Sequence, residues 1–154
     1  MMIRVFASVI ATLFFSASYT YADSYKKDFN LAKCNFLTSG QNGYFVLEPG
    51  FQLTLEGGDE KLEITVLNET KAVDGVLTRV VEEREWKDGD LYEVARNYFA
   101  ICEQTKDVFY FGEDVDFYEK GKVVRHNGSW LVGGENKPGL LMPGAPMVGL
   151  KYYQ

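Results

Sequence analysis

Residues 76–102 decide the fold. They read VLTRVVEEREW over 76–86, KDGD over 87–90 and LYEVARNYFAIC over 91–102. The two outer segments are rich in β-branched and aromatic residues, which is typical of strands. Asp88-Gly89 lies at the centre of the short segment between them, and this dipeptide is preferred in two-residue hairpin turns. The stretch therefore predicts a long antiparallel hairpin.

A second hairpin is predicted further along the chain, around Lys120-Gly121. Each turn fixes the register of its hairpin, and the predicted registers place oppositely charged residues across from each other. Arg84 is expected opposite Glu93, and Asp116 opposite Arg125. Two turns that independently give charge-matched registers support a β-meander. The same registers place Trp86 opposite Leu91 and Tyr118 opposite Val123.

Short alternating runs separated by glycine turns fill most of the remaining sequence, and the helical period is absent from nearly all of it. Tyr44–Leu47 is expected to be the first strand, and Asp23–Thr38 an arm or a short helix. Gly133–Gly149 is rich in proline and glycine, which predicts a wrapping loop. About eight or nine short strands are expected in one sheet. The predicted fold class is therefore all-β, an antiparallel meander that curls into a half-barrel or barrel-like sheet.

The N-terminal residues have the layout of a secretory signal peptide. Arg4 is followed by the apolar run Val5–Ala17, which is too short to span a membrane, and small residues precede a predicted cleavage site after Ala22. An uncleaved anchor helix is the alternative. The predicted organisation is a signal peptide over 1–22, an N-terminal arm over 23–43 and a single antiparallel β domain over 44–154. We expect an exported protein, periplasmic or extracellular, with no stable transmembrane segment after processing.

The two cysteines, Cys34 and Cys102, are expected to form a disulfide, because exported proteins fold in an oxidising compartment. Only one pairing is possible. The bridge would close a loop of about 69 residues and stabilise the fold by roughly 4 kcal/mol in the chain-entropy model. Two buried free thiols are the alternative, and a catalytic cysteine is disfavoured because no histidine is near Cys102 in the sequence.

The charge and the composition exclude several classes of function. The net charge of −6 argues against binding to a phosphate backbone, so no nucleic-acid partner is expected. With one histidine, His126, and two cysteines, the chain has too few ligands for a multi-histidine or a four-cysteine metal site. The sequence also lacks a Gly-x-Ser-x-Gly elbow, a phosphate loop and a dinucleotide fingerprint. No cofactor and no catalytic residue set is therefore predicted.

Glu113, Asp114 and Asp116 are the candidate metal ligands, because closely spaced carboxylates can hold a hard cation such as calcium. His126 would join them in an alternative metal-dependent or hydrolytic site, since it is the side chain that naturally titrates near neutrality. The competing interpretations are a solvated acidic turn and a lone surface histidine.

A second acidic group consists of Glu82, Glu83 and Glu85. Paired carboxylates can perform glycosidase-type acid–base chemistry. On a strand, Glu83 and Glu85 share one face and Glu82 takes the other. Charge pairing is favoured over catalysis here, because Arg79, Arg84 and Arg96 are close by in the sequence.

Aromatic residues crowd the central hairpins and are candidates for an apolar groove that holds a hydrophobic small molecule or an envelope partner. Core packing is the competing interpretation, since sheet cores also use aromatic side chains. The predicted ligand-binding residues are Tyr98, Phe109, Tyr110, Phe111 and Trp130.

Several phrases within roughly residues 44–154 resemble a family of uncharacterised secreted bacterial β-rich proteins. They are Leu47–Gly50, Val80–Glu85, Arg96–Ile101, Tyr110–Asp116, Gly121–Val124, Gly128–Trp130, Pro138–Leu140 and Met142–Gly144. The resemblance brings no established activity. Members of that family continue past Tyr152-Tyr153-Gln154 with further strands, so the resemblance implies a short or truncated member. In layout the chain is also similar to periplasmic lipoprotein-carrier-like half-barrels, which is an analogy of fold alone.

Together these observations predict a non-enzymatic exported module that binds a hydrophobic ligand or an envelope partner. The aromatic content and the lack of a recognisable catalytic set favour this interpretation. The alternatives are the metal-dependent or hydrolytic site described above and a structural envelope protein that assembles through exposed edge strands.

Overall fold

The structure is a computed structural model, and it describes residues 25–26 and 29–152. The predicted signal peptide over 1–22 lies outside the described residues. Within the described part of the chain, no helix has the length and apolar character needed to cross a membrane.

Nine β-strands and one turn of 3-10 helix, Leu31–Lys33, make up the described secondary structure. Four connections between consecutive strands are two-residue turns, which make the joined strands antiparallel neighbours. The strands are β1 (Phe36–Leu37), β2 (Gln52–Gly57), β3 (Glu60–Val73), β4 (Val76–Lys87), β5 (Asp90–Cys102), β6 (Val108–Glu119), β7 (Lys122–Arg125), β8 (Trp130–Leu131) and β9 (Gly139–Met142).

The strands form one antiparallel sheet in the order β2-β3-β4-β5-β6-β7. β1 pairs with the end of β5, where Phe36 lies opposite Cys102. Three short strands, β9, β8 and β7, share the outer edge of β6. Among the described residues, β2 and β7 do not pair with each other, so the sheet does not close into a barrel. The predicted all-β antiparallel fold is confirmed.

The register of the first hairpin differs from the prediction beyond its turn. Trp86 lies opposite Leu91, as expected. The next pair is Glu85 opposite Glu93, because Tyr92 is an extra residue in β5 that forms a β-bulge. The predicted pairing of Arg84 with Glu93 is therefore wrong, and two like charges face each other instead.

The second hairpin shows the same kind of deviation. Tyr118 lies opposite Val123, as expected, but an extra residue in β7 then places Arg125 opposite Phe117. The predicted pairing of Asp116 with Arg125 is wrong. The Arg125 guanidinium instead lies 3.9 Å from the centre of the Phe117 ring.

Two segments outside the hairpins also differ from their predictions. Tyr44–Leu47 is not a strand, and only Val46 makes an isolated bridge, to Gln41. The proline- and glycine-rich stretch Gly133–Gly149 is not all loop, because it contains β9. Prolines on both sides keep β9 short, and a short strand suffices to cover one end of β6.

Both faces of the inner part of the sheet carry an apolar core. We call one side the disulfide face, which carries Tyr98, Ala100 and Cys102, and the other the glutamate face, which carries Phe99 and Ile101. Side chains alternate along each strand, so neighbouring residues enter different cores. The buried cluster on the disulfide face comprises Val73, Val80, Tyr98, Ala100, Cys102, Phe109, Phe111, Val132 and Leu140. The cluster on the glutamate face comprises Leu47, Val66, Val81, Phe99, Ile101 and Val108.

The predicted disulfide between Cys34 and Cys102 is present, with Cα atoms 5.1 Å apart. It joins the N-terminal arm to the end of β5, beside the pairing of β1 with that strand. Phe36 in the arm packs edge-on against Phe109 and Phe111, at 5.8 and 5.4 Å between ring centres. The arm is therefore a cover for the disulfide face rather than a loose extension.

Candidate functional site

The most unusual surface of the molecule is the outer part of the glutamate face, near the turns that follow β2 and β4. Strands β2 to β6 cross it side by side, so that cross-strand neighbours form three rows. The rows are Leu53–Ile64–Glu83–Ala95–Val115, Leu55–Leu62–Glu85–Glu93–Phe117 and Val66–Val81–Asn97–Glu113–Trp130. Each row combines apolar residues at the β2 end with glutamate further in.

Three carboxylates in these rows, Glu83, Glu93 and Glu113, form what we call the glutamate cluster. Among the described residues, none of the three has a lysine, arginine or histidine nitrogen within 4.0 Å. Burial, and then the negative charges of Glu113 and Glu93, raise the pKa of Glu83 above its ordinary value. Burial, and then the charges of Glu85 and Glu113, likewise raise the pKa of Glu93. Lys87 and Arg125 lower the pKa of Glu93 in part, so the cluster is a concentration of negative charge that cations farther away offset only partly.

Tyr110 closes the inner end of the cluster. Its hydroxyl donates a hydrogen bond to Asn97 Oδ1 at 2.8 Å, and its ring centre lies 5.0 Å from that of Phe99 and 5.1 Å from that of Trp130. Burial, followed by the charge of Glu113, strongly raises the pKa of the Tyr110 hydroxyl. This hydroxyl therefore stays protonated, and it is a hydrogen-bond donor rather than an anion.

Apolar side chains at the β2 end of the surface remain open to solvent. Leu53 is 42% exposed and Leu55 49% exposed, although leucine is usually buried. A groove of about 410 Å³ runs beside Leu55, and its walls also include Leu62, Lys61 and the carboxylates of Glu56, Glu60, Glu83 and Glu85. A groove that combines apolar and charged walls beside exposed leucines has the character of a binding surface.

The charges on the opposite side of the same strands are paired. On the disulfide face, the Glu82 side chain is 10% exposed and lies between Arg84 Nε at 2.7 Å and Arg96 Nε at 3.2 Å. Lys71 Nζ lies 2.9 Å from Asp114 Oδ2. The predicted charge pairing is thus seen for Arg84 and Arg96, at Glu82, and among the described residues it does not extend to Glu83. For Arg79 the prediction is wrong, because its guanidinium donates to the backbone carbonyl of Thr38 at 2.8 Å instead.

Tyr98 joins Lys71 and Asp114 into one network. Its hydroxyl donates a hydrogen bond to Asp114, and Lys71 Nζ donates to the same hydroxyl at 3.1 Å. Hydrogen bonds from Tyr98 and then from Lys71 hold the pKa of Asp114 below its ordinary value. This network links β3, β5 and β6 and satisfies the carboxylate of Asp114.

The structure separates the predicted metal ligands. Asp114 and Asp116 lie on the disulfide face, whereas Glu113 lies on the glutamate face, because side chains alternate along β6. Over residues 25–26 and 29–152, no three potential ligands of the histidine, cysteine, aspartate and glutamate types are grouped to hold a metal ion. The three carboxylates therefore do not converge on one position.

His126 and Asp116 are brought together, as the alternative hydrolytic site requires. His126 Nδ1 lies 2.6 Å from Asp116 Oδ1, and the two side chains are 72% and 41% exposed. The nearby Ser129 hydroxyl accepts a hydrogen bond from the Val115 amide and donates one to the carbonyl of His126. Ser129 thus fixes the loop after β7 rather than bonding to the imidazole.

The predicted ligand-binding aromatics lie in different places. Phe109 and Phe111 are fully buried in the core of the disulfide face. Tyr98 is buried beside Asp114 in the polar network, and Tyr110 with Trp130 borders the glutamate cluster. Only the last two therefore lie where a ligand on the glutamate face could approach, and their binding role stays a prediction.

Sequence reasoning missed Glu93 and the leucines of β2 as parts of one surface. The alternation in β4 did place Glu83 and Glu85 on one face. Glu93 was not predicted to belong to this surface, because a regular hairpin register places it opposite Arg84. The bulge at Tyr92 carries no clear sequence signal that would have corrected this.

The arrangement can bind a partner that supplies positive charge and apolar contact together. In the described part of the chain its carboxylates lack the convergence that metal binding needs. Comparison of the chain with protein-family models, with curated proteins and with solved structures found no match in any of the three.

Proposed function

We propose that this protein is an exported, non-enzymatic binding module whose glutamate face takes a cationic and partly apolar partner. The observation that carries the proposal is the glutamate cluster of Glu83, Glu93 and Glu113. Among the described residues its carboxylates have no cationic nitrogen within 4.0 Å, and they lie beside solvent-exposed leucines. The partner class is a polypeptide segment of an envelope protein that alternates basic and apolar side chains.

The energetic argument begins with repulsion. Like charges directly opposite each other in a sheet are destabilising, and Glu85 faces Glu93 across the β4–β5 ladder. Lys87 Nζ lies 3.0 Å from Glu85 and relieves part of this repulsion, while Glu83 and Glu113 have no such partner among the described residues. A bound cation would remove the repulsion and replace the lost hydration of the carboxylates.

The apolar part of the surface supplies contact area. Burial of apolar area contributes about 25 cal/mol per Å², so covering Leu53 and Leu55 favours binding. Electrostatic complementarity adds specificity and a faster association rate. A purely apolar partner would contact the leucines and not the carboxylates, and a purely basic partner would contact the carboxylates and not the leucines.

Export is supported by the Cys34–Cys102 disulfide, which is compatible with an oxidising compartment. The predicted signal peptide over 1–22 supplies the route. A proteomic measurement of the N-terminus of the mature protein would test cleavage after Ala22.

The binding proposal is tested with a synthetic peptide that alternates lysine and leucine, followed by fluorescence anisotropy. We expect saturable binding that weakens at least tenfold in the double variant Glu83→Gln with Glu113→Gln. The control variant, Glu48→Gln with Glu135→Gln, removes the same charge from exposed positions elsewhere. Equal loss in both variants would show that net charge alone attracts the peptide and would overturn the proposal.

A peptide that alternates glutamate and leucine distinguishes the two contributions. It has the same apolar content as the basic peptide and the opposite charge, so we expect no saturable binding. Binding of both peptides with similar affinity would mean that the leucines alone hold the ligand. In that case the role proposed for the glutamate cluster is wrong.

A further inference from the structure

One edge of the sheet is covered by short strands, and the other edge is open. The outer edge of β6 is covered along its length by β9, β8 and β7. Among the described residues, β2 is the terminal strand at the other end of the sheet, and all six of its residues are exposed. It contains no proline, no lysine and no bulge, which are the usual protections of an exposed edge. An edge of this kind is a template for pairing with another strand.

The hydrogen-bonding pattern of β2 identifies the residues that offer this template. Gly57 lies opposite Glu60 across a two-residue turn, and such a turn is closed by a hydrogen-bonded pair. By alternation, Leu55 and Leu53 also exchange hydrogen bonds with β3. The residues that alternate with these three are Gln52, Thr54 and Glu56. Their amide and carbonyl groups point to the open edge.

The side-chain sequence of β2 is nearly symmetric about Thr54. It reads Gln-Leu-Thr-Leu-Glu over residues 52–56. We infer that β2 pairs antiparallel with β2 of a second copy of this chain, around a two-fold axis at Thr54. Thr54 then lies opposite its own counterpart, Leu53 opposite Leu55, and Gln52 opposite Glu56.

This register satisfies the backbone and the side chains together. The residues that point to the open edge in one copy meet those in the other, so each can form a hydrogen-bonded pair. Threonine pairs and apolar pairs directly across a ladder are favourable. The Gln52 amide can donate to the Glu56 carboxylate of the second copy, and the two Glu56 side chains are about 14 Å apart along the strand. Screening makes their repulsion small at that distance.

The dimer extends the sheet of one copy into that of the other. Leu53 and Leu55 of both copies form one apolar strip on the glutamate face, which joins the two proposed binding surfaces. Pairing through β2 does not require the glutamate cluster to bind anything. A test of the dimer is therefore independent of a test of the proposed function.

Disulfide trapping tests the predicted axis. In Thr54→Cys the two new thiols lie on directly opposite residues, with Cα atoms about 5.5 Å apart, which is within disulfide range. Gln52→Cys is the matched control, because it lies on the same strand and the same face but about 14 Å from its counterpart. We expect Thr54→Cys to form trapped dimers at least tenfold faster than Gln52→Cys. Equal rates would show random collision and overturn the inference.

Sedimentation equilibrium tests the association itself. We expect the unmodified protein to dimerise as its concentration rises, and Thr54→Pro to remain monomeric, because proline removes an amide that points to the open edge. Thr54→Ser keeps this amide and should dimerise like the unmodified protein. A strictly monomeric unmodified protein at millimolar concentration would refute the dimer. If Thr54→Pro does not fold, the ratio of the trapping rates still decides the question.

Discussion

Replacement of Gly112 by alanine should destabilise the protein severely, since this residue makes the bulge that sets the faces of β6. Gly112 has φ +125°, a backbone conformation that residues with side chains rarely adopt. A Cβ atom there would overlap the carbonyl oxygen of Trp130 and lie 2.7 Å from the Cα atom of Leu131. Both obstacles are backbone atoms of β8, so no side-chain rotation can relieve them.

The magnitude follows from two contributions. The unfavourable φ costs about 1–3 kcal/mol, and crowding against fixed backbone costs a further 1–3 kcal/mol or so. The expected loss in the free energy of unfolding is therefore about 4 kcal/mol. That is a large part of the total stability of an ordinary domain, which is about 5–15 kcal/mol. The midpoint of thermal unfolding should fall by about 15 °C.

Gly43→Ala is the matched control for Gly112→Ala. Gly43 is exposed, and a Cβ atom added to it meets nothing within 4 Å. The substitution should leave stability unchanged or raise it by about 0.5 kcal/mol, through the unfolded state. Urea unfolding monitored by tryptophan fluorescence measures both variants. A loss below about 1 kcal/mol for Gly112→Ala would refute the reasoning, because it would mean that β8 can move away from β6 at little cost.

Three further predictions concern the Cys34–Cys102 disulfide, Glu83 of the glutamate cluster and the hydrogen bond between Tyr98 and Asp114. Replacing Cys34 and Cys102 together by alanine should lower the free energy of unfolding by about 4 kcal/mol, measured by urea unfolding, because the open chain gains entropy. The raised pKa of Glu83 means that the folded state binds a proton more tightly than the unfolded state, so acidification from neutral pH toward its ordinary pKa should stabilise the protein. Glu83→Gln should be more stable than the unmodified protein at pH 7 and should show a smaller gain on acidification in thermal melts. Tyr98→Phe should raise the pKa of Asp114 in an NMR titration and cost about 1–2 kcal/mol, since it removes a hydrogen bond to a charged group. Asp114 stabilises the folded state above its ordinary pKa, and this contribution is lost on acidification, so the acid-induced loss should be smaller in Tyr98→Phe.

Local turn chemistry made the backbone path predictable. Asp88-Gly89 and Lys120-Gly121 both occupy two-residue turns, and the pairs next to them, Trp86–Leu91 and Tyr118–Val123, have the predicted register. An Asp-Gly pair accommodates the positive φ values that such a turn requires, so the information is local. The single possible pairing of two cysteines was predictable for a similar reason, because no alternative partner exists.

The register a few residues from each turn was not predictable, because it depends on bulges. Each hairpin contains one extra residue, Tyr92 in the first and Val124 in the second. Tyr92 packs its ring against Phe117 of β6, at 5.7 Å between ring centres. This contact reaches β6, a strand outside the first hairpin, and a regular register assumed from the turn takes no account of such contacts.

The short strands were missed for a related reason. Gly139–Met142 has prolines on both sides, which argued for a loop, yet Leu140 is fully buried opposite Phe109. The strand forms because the edge of β6 needs hydrogen-bonding partners and the core of the disulfide face needs an apolar cover. The sequence of Gly139–Met142 alone indicates neither the free edge of β6 nor the open side of the core.

The same irregularities create the candidate site. With a regular register Glu93 would face Arg84 on the disulfide face, and the bulge moves it to the glutamate face opposite Glu85. Between its pairs with Asn97 and Phe99, β6 also has one residue more than β5, which brings Glu113 rather than Asp114 to the glutamate face. The bulge at Tyr92 thus adds a carboxylate to the glutamate face, whereas the bulge in β6 exchanges Asp114 for Glu113 and leaves Asp114 paired with Lys71 on the disulfide face. Bulges are common where a sheet directs side chains to a site, and like charges opposite each other are destabilising. The repulsion between Glu85 and Glu93 therefore has the bulge at Tyr92 as its cause, and it is the repulsion that the proposed cationic partner would relieve.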